Sequence, residues 1–135
     1  MKRILIIINL FLLLCIEVYS QKVYTSLNEA LINKNDVTVL DLSSNNLSVF
    51  PDAIYSLSNL EVLILINNQI TSIPNDINKL VNLKQLFLDN NQISVLPEKI
   101  GDLKKLEVLT LSNNKLKSFP SNFISLSNLK YLSVS

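Results

Sequence analysis

The chain contains no histidine, one cysteine and one glycine. Without histidine there is no Ser-His triad and no imidazole metal ligand. The cysteine, Cys15, lies in an apolar N-terminal stretch. Beyond it there is no thiolate nucleophile, no Cys/His zinc site and no disulfide. Gly101 is the sole glycine, so no Gly-rich phosphate loop can form; relief of crowding in a turn is the reading for that position. Charge of one sign is also lacking. The chain has 12 basic and 11 acidic residues, and taking away Lys2, Arg3 and Glu17 leaves ten of each. Such balance gives no electrostatic reason to expect nucleic acid or an anionic membrane. Lys104 and Lys105 read as a solvated edge. No catalytic group, cofactor or metal site is expected.

What is present begins with a leader. Lys2 and Arg3 precede an apolar run from Ile4 to Ile16 broken only by Asn9. Val18 and Ser20 then suit the −3 and −1 positions of a cleavage site before Gln21. The run is shorter than the ~20 apolar residues needed to span a bilayer. Residues 1–20 are therefore read as a signal peptide, implying export: secreted, periplasmic or cell surface, with no membrane span in the mature chain. An uncleaved anchor and a lipoprotein acylated at Cys15 are the rivals; Leu14 argues against the second. Asn46-Leu47-Ser48 is a glycosylation sequon, read here as an ordinary loop.

Residues 21–36 read as an N-terminal cap. Ser26 and Glu29 have capping-box spacing, and Leu27, Ala30 and Leu31 share one helical face. From Val37 onward a period of 23 takes over. Leu60, Leu83, Leu106 and Leu129 are 23 apart, as are Asn45, Asn68, Asn91 and Asn114, and Pro51, Pro74, Pro97 and Pro120. Such a period marks a solenoid whose units bury their apolar faces only against neighbours. Repeats start at 37, 60, 83 and 106, with a partial one from 129. Alternation around Leu86 and Leu88 predicts a short strand with both leucines inward. The following Asn91 is placed to satisfy backbone groups at the turn, and its equivalents would form a ladder. The return half opens with Leu96-Pro97, fit for a short helix or 3₁₀ turn, with Ile100 and Leu103 inward. Glu98 suits the dipole of that turn.

The units fit L-x-x-L-x-L-x-x-N-x-L followed by x-x-L-P-x-x-I-x-x-L, from Val37 to Ser135. This resembles the leucine-rich repeat family. It is similar to the 23-residue repeats of Ras-pathway scaffold proteins, their plant relatives and small exported bacterial proteins. The resemblance implies an α/β solenoid with a parallel concave sheet and short helices or 3₁₀ turns on the convex side. It also implies a non-catalytic interaction scaffold.

The outward strand positions are then the place for a partner. They are Val39 and Asp41, Val62 and Ile64, Gln85 and Phe87, Val108 and Thr110, and Tyr131 and Ser133, with Ser43, Ile66, Asp89 and Ser112 in the next column. Val62, Ile64, Ile66, Phe87, Val108 and Tyr131 form an apolar strip that the repeat does not require, and such surface marks interaction sites. Strand propensity alone, or cover by another part of the protein, would also account for it. Asp41 and Asp89 lie at its rim, about 10 Å apart, too far to share a proton or small ion. The expected function is protein or peptide binding on this face. The alternative is a structural or accessory fragment of a larger exported protein. The fifth unit lacks a return segment at Ser135, so an incomplete chain, or self-association through that edge, is expected.

Overall fold

The computed structural model describes residues 21–135; the predicted leader lies outside the described residues. Six short strands form one sheet in sequence order, every neighbouring pair parallel. They are β1 (Val23–Tyr24), β2 (Val39–Asp41), β3 (Val62–Ile64), β4 (Gln85–Phe87), β5 (Val108–Thr110) and β6 (Tyr131–Ser133). Pairing follows the 23-residue offset: Leu40, Leu63, Leu86, Leu109 and Leu132 align. Parallel strands need a crossover to return to the same edge. The β1–β2 crossover carries an α-helix, while from β2 onward each crossover is an extended turn plus a 3₁₀ segment.

Those segments are Asp52–Ser56, Asn75–Lys79, Glu98–Asp102 and Ser121–Ser125. Each follows a proline in extended conformation and closes on a leucine, as Leu57 N–H donates to Ile54 O at 2.9 Å. Between helix and 3₁₀ turn, the tighter form is the one adopted. Five residues end each segment before an α-helical bond pattern can repair its own nucleation cost.

The core lies between sheet and return segments. Leu63, Leu65, Ile70, Ile77, Leu80, Leu83, Leu86 and Leu88 are among its fully buried residues. It continues from Tyr24 to Leu126, so no repeat has a core of its own.

The cap contains helix α1 (Leu27–Ile32). Ser26 Oγ accepts from Glu29 N–H at 3.3 Å, and Ala30 is buried while Leu27 and Leu31 pack against the core. Only half of the capping box forms, because the Glu29 carboxylate pairs with Lys22 at 3.1 Å instead. Strand β1, which extends the sheet by one, was not expected.

Candidate functional site

The turn after each strand sets the edge of the concave face. Ser44, Asn67, Asn90 and Asn113 all have φ of 56° or 57°. An L-residue there costs about 1–2 kcal/mol, and asparagine tolerates it best after glycine. The next asparagine turns inward. Asn91 Nδ2 donates to Leu65 O at 2.9 Å and Leu88 O at 3.0 Å, while its Oδ1 accepts from Ile70 N–H at 3.0 Å. It thereby ties two repeats together. Asn68 does the same through Leu42, Leu65, Asn45 N–H and Leu47 N–H, and Asn114 through Leu88, Leu111 and Ile93 N–H. Asn45 departs from the expected ladder. Its side-chain amide is exposed and donates only within its own repeat, to Ser43 O at 3.0 Å, because no repeat turn precedes it.

The expected apolar strip is corrected in part. Val39, Val62 and Val108 are buried, as are Gln85 and Thr110. Neighbours in one column stand about 4.8 Å apart, so Val39, Val62, Gln85 and Val108 shield one another. The partly open apolar centre is narrower: Ile64, Ile66 and Phe87, all half-buried and outside the core cluster, with Tyr131 half-buried at the far strand. Ile64 pairs directly with Phe87, and Asp41 with Ile64.

The two rim carboxylates are held by hydroxyl and backbone donors. Asp41 Oδ1 accepts from Ser43 N–H at 2.9 Å and Ser43 Oγ at 2.6 Å. Asp89 accepts from Ser112 N–H at 2.8 Å and from the Thr110 hydroxyl. The other edge of the face carries charges that sequence reasoning passed over. Lys84 bonds Glu61 at 2.9 Å, and Lys130 bonds Glu107 at 2.8 Å. The signal was available, since these four positions are 23 apart and alternate in sign. A second amide row was also missed. Asn59, Asn82 and Asn128 each donate to the carbonyl 24 residues earlier, at 2.8, 2.9 and 2.6 Å.

Among the described residues no group of three His, Cys, Asp or Glu side chains could hold a metal ion. An indentation of about 610 Å³ lies away from the sheet at the proline elbows, against Ile73, Pro74, Val95, Pro97 and Phe119. At the last repeat, Leu132 is 40% exposed, against 0% for its equivalent Leu109.

An open parallel sheet stacked at a fixed 23-residue period and stitched by an asparagine ladder defines a solenoid of the leucine-rich repeat type. Two family models agree: a leucine-rich repeat model matches residues 35–93, and a leucine-rich repeat region model matches residues 74–135. The chain belongs to the leucine-rich repeat family. An internalin (inlF) of Listeria monocytogenes is 32% identical with a TM-score of 0.67, over 82% of this chain and 32% of its own length. A leucine-rich repeat protein of Leptospira interrogans is 31% identical with a TM-score of 0.54, over 83% of this chain and 40% of its own. A structure of the BIR3–SERK2 complex of Arabidopsis thaliana is 31% identical with a TM-score of 0.63, over 72% of this chain and 57% of its own. The chain thus spans less than two thirds of each structure. No curated protein matches the sequence. Leucine-rich repeat proteins are in general protein-interaction modules and typically non-catalytic.

Proposed function

We propose that this protein binds a protein or peptide segment on its concave sheet, with Ile64, Ile66 and Phe87 at the centre of the contact. The observation that carries the reading is that these three residues are partly open and stand outside the core, on or just after strands whose inward leucines already complete it. Strand fitness explains an apolar residue at any one of these positions, but an adjoining trio also makes a surface. Six strands at about 4.8 Å give a sheet roughly 24 Å wide, matched to a loop or extended peptide. Binding energy concentrates in central aromatic and apolar groups. Phe87→Ala is therefore expected to weaken binding by about 2 kcal/mol with the repeats intact. Pull-down from the native host with wild type and Phe87→Ala tests it. Equal recovery of the same partners, or unfolding of the variant by circular dichroism, would reject the assignment.

Residues 1–20 are proposed to direct export and to leave a mature chain starting at Gln21, with the cap at 21–36 and repeats at 37–135. Intact mass of the exported protein decides this; a product retaining Met1 would point to the anchor.

A further inference from the structure

The charge left over on the concave face specifies its partner further, given the concave-face reading above. On the edge before the strands, carboxylates and ammonium groups cancel: Glu61 with Lys84, and Glu107 with Lys130. The half of the face beyond the strands' midpoint is different. Its outward positions are Asp41, Ile64, Phe87, Thr110 and Ser133, then Ser43, Ile66, Asp89, Ser112 and Ser135. The only ionic side chains among these are Asp41 and Asp89, and neither forms an ion pair among the described residues. Asp41 takes both of its hydrogen bonds on Oδ1, leaving Oδ2 without a partner among the described residues. Lys115, beyond the turn, is bonded to Gln92 at 3.0 Å.

Two uncancelled carboxylates therefore lie on either side of Ile64 and Ile66, about 10 Å apart across two strand spacings. We propose that the occupant is a protein segment carrying a lysine or arginine beside aliphatic or aromatic residues, the apolar part seated on Ile64, Ile66 and Phe87 and the cation directed to Asp41. A wholly apolar segment would leave both charges without compensation on binding. An acidic one would add repulsion in a partly water-excluded site.

Asp41→Asn is the discriminating variant, because it keeps an Oδ1 acceptor for Ser43 and removes the charge. Short random peptides displayed on phage would be selected on the immobilised protein, and the enriched sequences assayed on wild type, Asp41→Asn and Phe87→Ala. The expected result is a basic residue next to apolar ones, affinity falling about fivefold in Asp41→Asn, and a salt dependence that shrinks in that variant. Enriched peptides that lack a basic residue, or that bind Asp41→Asn and wild type equally, overturn the basic-partner proposal while leaving the concave site standing, provided Phe87→Ala still loses them. Peptides that bind Phe87→Ala undiminished overturn the concave site itself. No enrichment on wild type overturns both.

Discussion

Gly101 lies against Asn122 so closely that a Cβ on the glycine would stand 2.0 Å from the Asn122 carbonyl oxygen. The obstacle is backbone, which cannot swing aside as a flexible side chain can. The two residues join the return segments of the third and fourth repeats, where Asn122 also donates to Glu98 O and Asp102 Oδ1, both at 3.2 Å. Gly101→Ala is expected to force these segments apart and cost about 3 kcal/mol, at the upper end for overpacking. Urea denaturation would measure it. A loss below about 0.5 kcal/mol, the range of ordinary surface changes, would show that the convex layer yields.

The asparagine ladder makes graded predictions. Asn68→Ala and Asn91→Ala remove buried amides that serve backbone groups of two repeats, and each is expected to cost about 1–3 kcal/mol. Asn45→Ala removes one exposed bond and is expected to cost roughly 0.5 kcal/mol or less. Asn90 is exposed, which suggests tolerance, but its φ of 56° adds a conformational cost. Asn90→Val should destabilise by about 1–2 kcal/mol, while Asn90→Gly should be near neutral. Equal urea midpoints for Asn90→Val and Asn90→Gly would show that the turn relaxes out of the left-handed region.

The register of the fold was legible because the period is constant: once Leu60, Leu83 and Leu106 align, so do the inward leucines of every strand. Strand β1 was not, since Val23–Tyr24 precedes the first period and two residues carry no alternation. The candidate site was legible only in outline. Sequence assigns Val62 and Val108 outward with Ile64, but whether an outward side chain meets water depends on its neighbours in the column. Sequence places Glu98 to serve the dipole of its own turn. Its carboxylate reaches the next repeat, a contact invisible to periodicity because Asp52 and Asn75 hold the equivalent positions.

Tyr55 offers a stabilising change. Its hydroxyl is buried and finds no hydrogen-bond partner among the described residues. Burial, and after it Asp52 and Asp76, push its pKa up to about 12. The ring itself is well placed, 5.6 Å from Phe50 in a stacked arrangement. Tyr55→Phe keeps the stack and removes the orphaned hydroxyl, so the variant is expected to gain about 1 kcal/mol. A thermal midpoint below wild type would show that the hydroxyl is served in solution.

Glu98 should couple folding to acid. Its carboxylate accepts from Asn122 N–H at 2.9 Å, Ser121 N–H at 3.2 Å and Ser121 Oγ at 3.1 Å, at the start of the next 3₁₀ segment. The Asn122 backbone bond does most to hold its pKa below the ordinary glutamate value, with Ser121 adding to it against a smaller opposing effect of desolvation. A carboxylate depressed in the folded state stabilises fully above its unfolded pKa, and that contribution fades as pH falls through the folded pKa. Near neutral pH, wild type should therefore outlast Glu98→Gln in urea. The gap should close as pH drops from the unfolded glutamate value through the lower folded one. Ser121→Ala would remove one of the three donors and narrow the neutral-pH gap without abolishing it. A gap between wild type and Glu98→Gln that stays constant across the acid range would mean that the glutamate acts through shape alone, not through its charge.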